Sequence, residues 1–100
     1  MPAIARKGDP ERVHCSVPRR KGAVRTVFAN NKRISCKGHK NTIHLRPCAC
    51  PPCCCPHDAP LKRGSPNVFA EGLNVGRVGD PTCTAVRRGS PNVYANGAGR

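Results

Sequence analysis

The sequence predicts an all-β fold of short strands in which one small unit is used three times around a common axis. Three observations support this. Pro 11 and Gly 10 among 100 residues leave little room for helices. The β-prone triplets Val27-Phe28-Ala29, Val68-Phe69-Ala70 and Val93-Tyr94-Ala95 are each bounded by turn residues. The segments around those triplets repeat one another.

The repeat is clearest in Arg63–Asp80, RGSPNVFAEGLNVGRVGD. Its first half, Gly64–Gly72, recurs as GSPNVYANG at Gly89–Gly97, and its close, GRVGD at Gly76–Asp80, recurs as ARKGD at Ala5–Asp9. Val27–His39, VFANNKRISCKGH, aligns without gaps on Val68–Asp80, with Asn31 in the place of Gly72, Cys36 of Arg77 and His39 of Asp80. The chain therefore reads as one domain of three passes, roughly 3–31, 32–72 and 73–97, with a cysteine-rich insertion at 47–56.

Each element then follows in order. Gly64-Ser65-Pro66-Asn67 and Gly89-Ser90-Pro91-Asn92 are turns leading into a strand, and a serine repeated in that slot is a capping residue. Asn96-Gly97 is a two-residue hairpin signal, and Glu71-Gly72 and Asn30-Asn31 occupy the same slot. Each pass is turn, strand, tight turn, strand. None buries a face alone.

Only 37% of the residues are hydrophobic and 3% aromatic. That is thin against an ordering entropy on the order of 100–200 kcal/mol. A metal, disulfides or a partner chain is expected to supply the balance. The formal charge is +13, from 18 Lys+Arg against 5 Asp+Glu. The basic residues are spread over all passes, and Phe28, Phe69 and Tyr94, in the repeated strands, are expected to pack inward. The charge reads first as a solvated surface, next as attraction to an anionic partner or outer-membrane surface, and last as nucleic-acid binding. No stretch has the form of a signal peptide or a membrane span.

The ligand-type residues fall at one end of each unit. His14 is the fifth residue after Asp9, His44 the fifth after His39, His57 precedes Gly64 by seven, and Cys83 follows Asp80 by three. Three imidazoles and one thiolate form a tetrahedral Zn²⁺ set with no position left for water, as in structural sites. Such sites contribute about 10–16 kcal/mol of apparent binding energy to folding. His39 stands in an aspartate slot and is left outside the set.

The frame A-R-x-G-D, His, G-S-x-x-V-x-x-x-G, R-x-G-D, Cys resembles the PAAR-repeat family, named for Pro-Ala-Ala-Arg. Ala5-Arg6-Lys7-Gly8-Asp9, His14, His57, Gly64-Ser65, Val68, Gly72, Arg77-Val78-Gly79-Asp80, Cys83, Gly89-Ser90 and Asn96-Gly97 carry the resemblance. It implies a small cone of short strands with a zinc ion near its point, held by three His and one Cys. It also implies a role capping the trimeric β-helical spike of phage tails and type VI secretion systems. Carried onto this chain, the ligands are His14, His44, His57 and Cys83, with iron an alternative occupant. The location implied is a virion tail tip or outside the cell after delivery by a secretion machine. The docking face would be Val27, Phe28, Val68, Phe69, Val93 and Tyr94, with the target envelope as a transient partner. The tetrad itself is absent: its slots hold Ala3-Ile4-Ala5-Arg6, Arg33-Ile34-Ser35-Cys36 and Asn74-Val75-Gly76-Arg77.

The insertion Pro47–Pro56, PCACPPCCCP, reads as an ordered but irregular loop. Its Cys48, Cys50, Cys53, Cys54 and Cys55 admit three readings. They form disulfides, with Cys15 or Cys36 as further partners; or Cys50 and Cys53 join Cys36 and His39 at a second metal; or they are free thiols. Enzymatic chemistry finds no support. Asp9 and Asp80 occupy equivalent turn slots, Asp58 and Glu11 show no partner, and no phosphate-binding loop is present. The rival from another class is a small zinc-dependent nucleic-acid-binding module with its metal on the cysteine-rich middle.

Overall fold

A computed structural model describes residues 2–13, 15–48 and 54–95. Among these no helix occurs, and the fold is all-β, built from short antiparallel hairpins and isolated bridges. Strand β1 (Phe28–Ala29) pairs with β2 (Lys32–Arg33), β3 (His44–Pro47) with β4 (Cys54–His57), and β5 (Phe69–Ala70) with β6 (Leu73–Asn74).

The hairpin turns have the chemistry expected of them. Asn30 and Asn31 lie at φ 55 and 64, Glu71 and Gly72 at φ 52 and 79. Left-handed backbone at both central residues gives the twist that two antiparallel strands need. Glu71 is an unusual residue to hold that conformation, and its side chain supplies compensation. Its Oε2 accepts the N–H of Arg25 at 3.0 Å and of Thr26 at 2.8 Å, with the Thr26 hydroxyl at 2.5 Å. Thus one hairpin tip clasps the turn leading into β1. Asn30 does the same elsewhere, donating from Nδ2 to Asn92 Oδ1 at 2.8 Å and accepting from Ser90 Oγ.

The register is Phe28↔Arg33 in the first hairpin and Phe69↔Asn74 in the third. The C-terminal segment has no hairpin partner following it among the described residues; Asn96-Gly97 lie outside them. Tyr94 instead bridges to Ala3, the residue aligned with Arg33 and Asn74.

From each such pair the chain runs inward to a hydrogen-bonded ring. Ala5 N–H donates to Gly76 O at 2.8 Å, Gly76 N–H to Ser35 O at 2.9 Å and Ser35 N–H back to Ala5 O at 3.0 Å. Beyond the ring come three turns, Arg6–Asp9, Cys36–His39 and Arg77–Asp80. Each closes by a bond from the last N–H to the first carbonyl at 3.0–3.1 Å. Each has a glycine third, Gly8, Gly38 and Gly79, at φ 91–93, where a Cβ would be strained.

Ile4, Ile34, Val75, Val24, Cys36 and the strand alanines Ala29, Ala70 and Ala95 form the main core. Val27, Val68 and Val93 pack half-buried against it. The expectation that the strand aromatics pack inward is overturned: Phe28 is 54% exposed, Phe69 56% and Tyr94 49%. Side chains alternate along a strand, and the inward positions where the strands converge are taken by alanine methyls.

The Ser65 and Ser90 caps are as expected. Ser65 Oγ accepts from Val68 N at 3.1 Å and Ser90 Oγ from Val93 N at 2.9 Å. The charge is less of a surface matter than it reads. Arg6, Arg20 and Arg77 are buried, and Arg6–Asp9 and Arg77–Asp80 are ion pairs at 2.9 Å. Glu11, expected to lack a partner, is 0% exposed and paired with Arg20 at 2.8 Å. Nor is the insertion an irregular loop throughout: Pro47 and Cys54–Pro56 belong to β3 and β4. Both strands of a two-stranded ribbon are edges, so proline is tolerated in them.

Candidate metal centre

The β3–β4 register places His44 directly opposite His57. Side chains at opposite positions of an antiparallel pair share a face, so the two imidazoles meet. Their ring centroids are 4.3 Å apart at 61°. Cys83 arrives from the segment after the Arg77–Asp80 turn, and its Sγ lies 3.3 Å from His44 Nε2. One ligand-type atom from each of His44, His57 and Cys83 lies within 4.8 Å of the others, and this group could hold a metal ion.

The protonation pattern suits that role. His44 Nδ1 is 2.8 Å from Thr42 O. A carbonyl only accepts, so Nδ1 carries the proton and Nε2 presents its lone pair towards Cys83. His44 is 5% exposed, which fixes the ring. A tetrahedral zinc ion with a sulfur bond of about 2.3 Å and a nitrogen bond of about 2.0 Å would separate those atoms by about 3.5 Å. The observed 3.3 Å is close to that.

Disulfides brace the same hairpin. Cys15 is joined to Cys54, the first residue of β4, and Cys48, just past β3, to Cys55. Of the sequence-derived ligands, three are brought together, and the fourth, His14, lies outside the described residues.

Cys36 and His39 are placed elsewhere; Cys50 and Cys53 lie outside the described residues. Cys36 forms no disulfide, which removes it as a partner for the cysteine-rich stretch. Its thiol is 0% exposed in the main core, and burial pushes its pKa up to about 11. His39 uses Nδ1 to accept the Cys36 N–H at 2.9 Å. Burial first, then the charge of Arg20, lowers its pKa from 6.5.

A polar layer that the sequence reading missed lies against the site. Glu11, Asn41 and Thr82 each stand two residues past Asp9, His39 and Asp80, and that common offset was the available signal. Glu11 Oε1 accepts from Asn41 Nδ2 at 2.9 Å and from Thr82 Oγ1 at 2.8 Å. Asn41 Nδ2 also approaches Cys83 Sγ at 3.6 Å. No protein-family model and no curated protein matches this chain.

Proposed function

We propose that the protein is a rigid, metal-stiffened tip that caps the trimeric β-helical spike of a contractile injection machine, a phage tail baseplate or a type VI secretion apparatus. The observation that carries this reading is the closed ring of Ala5, Ser35 and Gly76, fed by three strands that expose Phe28, Phe69 and Tyr94 at corresponding positions. A single chain with three like edges can seat on a partner with true threefold symmetry. Aromatic residues left half-exposed on those edges are suited to be buried by it. One tip chain per trimer is the expected stoichiometry.

His44, His57 and Cys83, with His14 as the fourth ligand, hold zinc, or iron in the same set. The ion's task is mechanical: it cross-links the β3–β4 hairpin to the segment after Asp80, beyond the ring from the docking strands. The protein works at a virion tail tip or outside the cell, meeting the target envelope only in passing, and catalyses no reaction. No helix in the described residues is long and apolar enough to cross a membrane.

Two measurements test this. Elemental analysis of wild type beside His57→Ala and Cys83→Ala is expected to find one ion per chain, lost in both variants. Native mass spectrometry with the trimeric spike of the same machine is expected to show one chain per trimer, with binding lost in Phe69→Glu and Tyr94→Glu. Retention of the ion in both variants, or spike binding indifferent to both aromatic changes, would overturn the reading. The nucleic-acid alternative needs zinc on the cysteine-rich stretch, where Cys48, Cys54 and Cys55 are in disulfides and Cys50 and Cys53 lie outside the described residues.

A further inference from the structure

We propose that Asn41 is a positioning residue for the Cys83 thiolate, its side-chain amide donating an N–H···S hydrogen bond that disperses charge from the metal-bound sulfur. This rests on the metal reading of His44, His57 and Cys83.

Asn41 is 0% exposed, and its orientation is determined from both ends. Oδ1 accepts the backbone N–H of Ala59 at 2.8 Å. Nδ2 faces Glu11 Oε1 at 2.9 Å. Turning the amide over would set NH₂ against the Ala59 N–H and an oxygen against the carboxylate, so only one orientation satisfies both. With one Nδ2 hydrogen given to Glu11, the other is left for Cys83 Sγ at 3.6 Å.

Glu11 is itself held in place. Arg20 Nη1 donates to its Oε2 at 2.8 Å and Thr82 Oγ1 to its Oε1 at 2.8 Å. Arg20 is anchored in turn by Ser35 Oγ at 2.9 Å and His39 O at 2.6 Å. A continuous run of hydrogen bonds therefore leads from the backbone ring to the sulfur. At the corresponding positions stand Glu11, which has no donor when ionised, and Thr82, whose one hydroxyl proton goes to Glu11. Asn41 is the member of this layer with a second hydrogen to give.

A purely structural role would tie Asn41 to Ala59 and Glu11 and leave the sulfur unaffected. A thiolate bound to a divalent cation keeps excess negative charge, and an N–H donor stabilises it. The sulfur then donates less to the metal, and the sulfur-to-metal charge-transfer transition moves to higher energy.

The full oxidised chain loaded with ¹¹³Cd provides the direct test. A proton–cadmium correlation spectrum is expected to show coupling across the hydrogen bond between the ion and one Asn41 side-chain amide proton. In the Co²⁺-loaded protein, Asn41→Leu is expected to shift the sulfur-to-cobalt band to lower energy while one ion per chain is retained. The wild-type cadmium spectrum decides the matter if that variant does not fold. A thiolate band present in wild type and lost in Cys83→Ser, with no Asn41 coupling and no shift, would overturn the role of Asn41 alone. No uptake of either ion by wild type would overturn the metal reading and this inference together.

Discussion

His39 Nδ1 accepts the backbone N–H of Cys36 at 2.9 Å, the same bond that Asp9 Oδ2 makes with Arg6 N and Asp80 Oδ2 with Arg77 N at 2.8 Å. In the two Arg–Asp turns the carboxylate does two things: it satisfies the amide and it neutralises a guanidinium. The Cys36–His39 turn keeps the first and discards the second. With Cys36 standing where the other turns have Arg6 and Arg77, the turn has no arginine of its own to neutralise, and an imidazole nitrogen suffices for the amide.

That substitution makes one turn sensitive to pH. Protonating Nδ1 would set a donor against the Cys36 N–H, and burial and Arg20 already hold the His39 pKa below 6.5. A folded-state pKa below the unfolded one means that the unfolded chain binds more protons. The stability this group contributes is therefore fully present above pH 6.5 and is lost as pH falls through the lowered folded value. Urea unfolding followed from pH 7.5 down to pH 5 should show a decline that is shallower in His39→Asn. Parallel curves for the two proteins would remove His39 as the cause.

The Arg–Asp turns should respond differently to a similar change. In Asp80→Asn the Arg77 guanidinium, whose side chain is 9% exposed, loses its counter-charge. Breaking one partner of a buried pair costs about 3–5 kcal/mol. His39→Asn keeps an oxygen for the Cys36 N–H and orphans no charge, so above pH 7 its cost is expected to stay near about 1 kcal/mol. Denaturant midpoints of the two variants, compared at pH 7.5, check this contrast. Equal losses would show that the ion pair contributes nothing beyond the amide bond.

The disulfides should be separable by their effects. In the chain-entropy picture, closing the Cys15–Cys54 loop is worth about 4 kcal/mol and the Cys48–Cys55 loop about 2 kcal/mol. Their sequence separations are 39 and 7. The paired changes Cys15→Ser/Cys54→Ser and Cys48→Ser/Cys55→Ser should lower stability in that order. Both should weaken metal uptake, because both bonds brace the hairpin bearing His44 and His57. Peptide mapping of the native protein that found other pairings would discard the ranking with them.

Much of this was legible in residue order because turn chemistry is local. Asn30-Asn31, Glu71-Gly72 and the serine caps announce their conformations within a few residues. His44, His57 and Cys83 were legible through the repeat, which fixes where each segment ends relative to its strand. The outward turn of Phe28 and Phe69 was not, because hydrophobicity names a preference for burial and not which strand face the fold has room to cover. The Tyr94–Ala3 bridge joins residues at opposite ends of the chain, and no local signal marks it. Arg20 and Glu11 looked like ordinary surface charges, since a buried ion pair shows only when both partners are placed.

Arg20 provides the sharpest test of the repeat itself. Its N–H bonds to Asp9 O as Leu61 N–H does to His39 O and Val86 N–H to Asp80 O. By that bond Arg20 matches the aliphatic Leu61 and Val86, and by its place two residues past Asp9 Glu11 matches Asn41 and Thr82. Arg20→Leu alone leaves the Glu11 carboxylate, 0% exposed, without its cation, and Glu11→Thr alone strands the guanidinium. Each single change is expected to cost about 3–5 kcal/mol. The double variant Arg20→Leu/Glu11→Thr removes both charges and installs side chains that the same scaffold already accommodates, with the threonine hydroxyl left to accept from Asn41. Its stability should return to within about 1 kcal/mol of wild type, a coupling of several kcal/mol in a double-mutant cycle. Additive losses would show that the slots are not equivalent and that the Arg20–Glu11 pair is built into this one position for reasons of its own.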